Sequence, residues 1–147
     1  QLRSIDVFEG FLERSLEGVE DPLARVRAAF DSWAGFAEAE PTHHRLLDQF
    51  LSMPERALDD ADALAVHGRL QSVLERIAEA LRVAADGGAL APGDAMSRTH
   101  LMWASLHGLD HFRKRDHLHR EGLRSATLRS QLFEALISGW GGGRPIP

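Results

Sequence analysis

The chain contains no cysteine and no tyrosine. The missing cysteine excludes a disulfide framework, thiolate metal ligands and a cysteine nucleophile, and it suits a reducing compartment. No apolar run reaches bilayer-spanning length, and the N-terminus lacks the basic start and apolar stretch of a signal peptide. The sequence therefore reads as a soluble, cytoplasmic protein with no membrane partner. Basic residues number 17 against 22 acidic ones, and a formal net charge of −5 predicts no DNA-binding face. Gln1 stands where an initiating methionine would, which suits a fragment of a longer product. No stretch alternates apolar and polar residues over a useful length, and no internal repeat is visible. The fold class expected is all-α.

What is present fits one helical domain over 1–140, since 147 residues with 44% hydrophobic content can build a substantial core. The tail at 141–147, Gly-Gly-Gly-Arg-Pro-Ile-Pro, reads as flexible. Leu2, Ile5, Phe8, Leu12, Leu16 and Val19 recur at helical spacing, so 2–19 forms a first amphipathic helix closed near Gly18. Asp21-Pro22 starts a second, an acceptor followed by a residue that needs no N–H. Its apolar stripe is Leu23, Val26, Phe30, Trp33 and Ala37, and Pro41 breaks it. Thr42 is the expected cap of a short third helix carrying Leu46, Leu47, Phe50 and Leu51, ending near Met53-Pro54. The acidic run Asp59-Asp60-Ala61-Asp62 reads as a connection or a helix start. The clearest period in the chain covers 63–85 and is closed by Gly87-Gly88.

The chain is organised around the next helix, expected over 94–113 with Asp94 as its cap and Arg113-Lys114-Arg115 at its negative end. Its centre, Leu-Met-Trp-Ala-Ser-Leu-His-Gly-Leu at 101–109, is too apolar for a solvent-facing helix and suits packing on several sides. A polar segment follows, then a last helix containing Leu123, Leu128, Leu132, Phe133, Leu136 and Ile137.

His100, Trp103, His107 and His111 fall on one stripe of the central helix. Neutral imidazoles there are potential zinc or iron ligands, with His117 and His119 beyond. Without cysteine or a His-Glu-x-x-His motif, the preferred reading is hydrogen-bonded core or pocket histidines and no metal. Nucleophilic catalysis lacks a Gly-x-Ser-x-Gly elbow, and no glycine loop precedes a helix to cradle phosphate. The expectation is therefore no enzyme and no cofactor. Its alternative is a metal-dependent helical-bundle enzyme using His100, His107 and His111. Phe30, Trp33, Phe36, Phe50, Met53 and Trp103 can line a ligand cavity as readily as fill a core, and spacing alone favours core.

Three stretches together resemble the C-terminal, effector-binding half of TetR-family transcriptional regulators. Trp103-Ala104-Ser105-Leu106-His107-Gly108 is similar to the Trp-His-Gly signature helix of one branch of that family. Phe36-Ala37-Glu38-Ala39-Glu40-Pro41, followed by Arg45 and Leu46, resembles its Phe-Ala-x-x-x-Pro segment, and Gly88-Ala89-Leu90-Ala91-Pro92-Gly93-Asp94 its Gly-x-Leu-x-Pro turn. The resemblance covers about 22–139. It implies a homodimer that holds a small apolar or aromatic effector and, on binding it, releases DNA from an N-terminal helix-turn-helix. No helix-turn-helix lies in this chain, so DNA enters only through a domain absent from it.

The resemblance further implies that Trp33, Phe36, Phe50, Trp103 and His107 sit on or near the effector cavity, with Phe30, Met53 and His111 as further candidates. The last two long helices would form a four-helix dimer interface anchored by Leu128, Leu132, Phe133 and Leu136, and the first helix would relay the effector's signal. Two departures stand out. His43-His44 occupies a place where the family commonly has apolar or aromatic residues, and Trp33 one where it often has tyrosine.

Overall fold

Helix ends decide which side chains the helices present, and they follow from a few residues. The computed structural model describes residues 2–52 and 60–143, and within them the chain is six α-helices with no strand. These are α1 (Leu2–Leu16), α2 (Pro22–Ala39), α3 (Pro41–Ser52), α4 (Asp60–Asp86), α5 (Ala95–Arg113) and α6 (Ser125–Gly139). Two single 3-10 turns, Asp116–Leu118 and Glu121–Leu123, join α5 to α6. No helix of the described residues is long and apolar enough to cross a membrane.

The expected caps at Asp21 and Asp94 form. Asp21 accepts from the Ala24 N–H (2.8 Å), and Asp94 accepts from both the N–H (2.9 Å) and the hydroxyl (2.6 Å) of Ser97. Gly88, at φ +77°, lets the chain turn back so that the Ala89 N–H reaches the Ala84 carbonyl at 2.8 Å.

Two boundaries differ from the sequence expectation, the starts of α3 and α6. Thr42 does not start α3, because Pro41 is itself the first helical residue and the Glu40 carbonyl already accepts from the His44 N–H (2.9 Å). Of the two readings of the acidic run, connection or helix start, the structure shows the second: α4 begins at Asp60, with Asp62 in its first turn. Leu123 precedes α6 instead of belonging to it, because Asp116 reaches forward to fix the helix start at Ser125 through its N–H (2.8 Å) and hydroxyl (2.5 Å). The Asp59 and Met53-Pro54 readings, and residues 144–147 of the tail, lie outside the described residues.

The chain divides into two compact units, Gln1–Ile77 and Ala78–Pro147. In the first, Ile5, Phe8 and Leu12 of α1 are fully buried, as are Val26, Phe30, Trp33 and Phe36 of α2, within about 1%. His44, Leu47 and Phe50 of α3 and Val66, Leu70 and Val73 of α4 complete its interior. Arg25 of α2 donates to the carbonyls of Leu16 (2.8 Å) and Val19 (3.2 Å), so the end of α1 is satisfied by its neighbour.

Ion pairs tie α1 to α4. Arg69 pairs with Asp6 (3.0 Å) and closely with Glu9, and Arg76 pairs with Glu9 (2.8 Å) and Glu13 (2.9 Å). The hydrogen bond from Arg69, opposed by burial and helped by the two guanidinium charges, holds the Glu9 carboxyl below the ordinary glutamate value. A carboxyl depressed by folding contributes stability that is present above its unfolded pKa and lost as pH falls through its folded value. Glu9→Gln should therefore cost about 1 kcal/mol at neutral pH, and the difference from the parent should close on acidification below the ordinary glutamate value of 4.5. Melting curves across that range measure it, and a difference unchanged at low pH would contradict the ion-pair account.

In the second unit α5 packs on α6. The buried face of α5 is Ala95, Arg98, Thr99, Met102 and Leu106, and that of α6 is Phe133 and Ile137. The expectation that α5 is packed on several sides is not met within the chain, where Leu101 is 53% and Phe112 51% exposed. An apolar pattern on more than one side marks buried faces but does not say whether the same chain covers them all.

Candidate functional site

The signature segment of α5 forms regular helix, which sets Trp103 and His107 one turn apart on one side. Their rings meet edge to face at 4.9 Å, and both side chains are half-buried. An indole beside an imidazole offers an aromatic face and a polar nitrogen to one small molecule. The rest of the histidine stripe is turned outward. His100 and His111 are exposed, and each donates its Nδ1–H to the carbonyl one turn back, Met96 and His107 respectively, at 2.9 Å. Among the described residues no three His, Asp or Glu side chains are grouped to hold a metal, so His100, His107 and His111 are not brought together as ligands.

The base of α5 is fastened by Arg98, which is 8% exposed. Its Nη1 donates to the Ala91 carbonyl (2.9 Å) and its Nη2 to that of Pro92 (3.4 Å), while the guanidinium lies 5.3 Å from the centre of the Trp140 ring. The Ala91 N–H donates to the Trp140 carbonyl at 2.8 Å, so the turn before α5 and the end of α6 are held together. A Cβ at Gly93 would run into the Arg98 guanidinium, so a side chain there would have to displace the cation from this clasp. The Gly-x-Leu-x-Pro turn is thus built around a buried cation, which positions the signature helix above it.

In the first unit the expected ligand residues Phe30, Trp33, Phe36 and Phe50 are buried, and Met53 lies outside the described residues. Phe8 stands edge-on to Trp33 (5.2 Å) and against Phe36 (5.1 Å). His44 is buried with its ring 4.5 Å from Trp33 and 6.0 Å from Phe36. The Ser4 hydroxyl and His43 Nδ1 are hydrogen-bonded at 2.9 Å across α1 and α3. The His43-His44 departure is thereby explained locally: one ring joins the aromatic cluster and the other meets a buried hydroxyl. Phe8 and His44 were not among the expected site residues. Phe8 was visible only as one member of the α1 period, and nothing in a His-His pair says which ring turns inward.

Of the four expected dimer anchors, Phe133 is buried within its own chain and belongs to the core of the second unit, whereas Leu128, Leu132 and Leu136 are half-buried at four-residue spacing along α6. On α5 the outward line is Leu101, Ala104, Gly108 and Phe112, all exposed. Open space surrounds the positions a Cβ would take at Gly108 and Gly139. Comparison with known proteins gives no match to a family model, to a curated protein or to a solved structure.

Proposed function

We propose that this chain is the effector-binding and dimerisation part of a TetR-like transcriptional regulator whose DNA-reading domain lies outside it. The reading rests first on the resemblance of its Trp-His-Gly helix, Phe-Ala-x-x-x-Pro segment and Gly-x-Leu-x-Pro turn. The observation that carries it is the outward line of α5. Leu101 is 53% exposed, and Ala104 and Gly108 follow at helical spacing with nothing from the chain over Gly108. Small residues on a helix surface let a second backbone come close, and an exposed leucine beside them gives that approach an apolar driving force. A second copy related by a two-fold axis covers the same line on both partners at once.

Trp103 and His107 are the effector contacts. A small aromatic or apolar molecule stacks on the indole and takes one hydrogen bond from, or gives one to, the imidazole. Binding to one arrangement of the helices in preference to another shifts their populations, and the effector acts at a distance through that difference in affinity. The metal-dependent alternative has no observation in its favour.

The test uses a panel of small aromatic compounds, with binding followed by titration calorimetry so that Trp103 need not serve as the reporter. A compound that binds should raise the melting temperature. Its affinity should fall about tenfold in Trp103→Ala and in His107→Ala, the loss of one good contact. Equal affinity in the parent and both variants would remove these residues from the site.

A further inference from the structure

The connection between α5 and α6 has a charge opposite to that of the chain. Five of the 17 basic residues and two of the 22 acidic ones fall within 113–124, giving a formal +3 there against −8 over the rest. The five are Arg113, Lys114, Arg115, Arg120 and Arg124, and all are exposed. None of them makes a side-chain hydrogen bond or ion pair among the described residues. Of the two acids, Asp116 is committed to capping α6. Its carboxyl is held below the ordinary value by the Ser125 hydrogen bonds, with His119 and Arg124 adding to the effect.

Helix stability does not account for this concentration. Arg113 and Lys114 suit the negative end of α5, but Arg115, Arg120 and Arg124 lie beyond it and run up to the N-terminus of α6, where the helix field disfavours cations. Set among them is Leu118, 73% exposed, on a turn fixed by hydrogen bonds from the Leu118 N–H to Arg115 (2.8 Å) and from the His119 N–H to the Asp116 carbonyl (3.2 Å). Leu123, 43% exposed, stands on the second turn.

We propose that the 113–124 connection docks on an anionic lipid surface, with Arg113, Lys114, Arg115, Arg120 and Arg124 at the headgroups and Leu118 entering the interface. Both halves of the pattern are used: the cations answer the surface's negative charge, and the ordered leucine is taken out of water. A nucleic-acid backbone would answer the cations alone and leave Leu118 where it is. The acidic remainder of the chain opposes the approach only weakly, because salt screens charges beyond about 8 Å. This surface is independent of the effector and dimer reading.

The experiment is co-sedimentation of the full chain with vesicles of equimolar phosphatidylcholine and phosphatidylserine, against pure phosphatidylcholine. Binding should require phosphatidylserine and be released by high salt. Lys114→Ser with Arg115→Ser should weaken it about 25-fold, from about fivefold per cation, and Leu118→Ser about tenfold. All these positions are exposed, so the variants should melt as the parent does. Failure to bind the anionic vesicles would overturn the proposal, as would equal binding to both compositions. Salt-sensitive binding to duplex DNA that Leu118→Ser leaves intact, without vesicle binding, would assign the patch to nucleic acid and likewise overturn it.

Discussion

Trp33→Ala should lower stability by about 3–5 kcal/mol, the range for deleting a large buried aromatic. The indole is 1% exposed and touches Phe8, Phe36 and His44. Its removal opens a void between rings from three helices, none of which can move in without leaving its own contacts. The edge-on geometry with Phe8 at 5.2 Å adds an aromatic pairing term that a smaller apolar residue does not replace. Against a typical total of about 5–15 kcal/mol this is a large fraction, and the midpoint should fall by about 10 °C. Circular dichroism is the readout, since the substitution removes a fluorophore. A shift of only a degree or two would mean that the three-helix cluster is not the centre of the first unit.

Arg98→Ala should destabilise the second unit by about 3 kcal/mol. Two hydrogen bonds from a charged donor are lost, each of a kind worth about 1.5–3 kcal/mol when measured by deletion, together with the contact over Trp140. Relief from burying the charge offsets part of this. The carbonyls of Ala91 and Pro92 lose their donor, so the turn before α5 loosens where the Asp94 cap should hold it. Arg98→Lys should recover less than half, because one ammonium cannot span both carbonyls and the ring in the flat geometry of a guanidinium. Urea denaturation followed by circular dichroism measures the loss. Full stability in Arg98→Ala would show that the Ala91–Trp140 backbone hydrogen bond and apolar contacts suffice.

The helices were legible in the sequence because their signals are local. Asp21-Pro22, Asp94 and Gly88 act within four residues, and each sets the boundary that its chemistry requires. Thr42 and Leu123 misled because a neighbour had already taken the role: Pro41 starts α3, and Asp116, nine residues upstream, starts α6. Long-range partners left no trace. Nothing in the spacing of Glu9 and Arg69 links them, and Arg98 reads as one more helix-surface charge until Trp140 is seen beneath it. The Trp103 and His107 pairing follows from helical spacing alone, whereas the core place of Phe133 does not, since α6 has apolar residues on more than one side.

The regulator reading depends on the outward line of α5 meeting its own copy, and sedimentation equilibrium tests this most directly. The account predicts that the chain is a dimer and that Leu101→Glu, at an exposed position that the monomer's fold does not need, converts it to a monomer with unchanged helix content. A parent chain that is monomeric at every concentration, or a dimer that Leu101→Glu leaves intact, would contradict it.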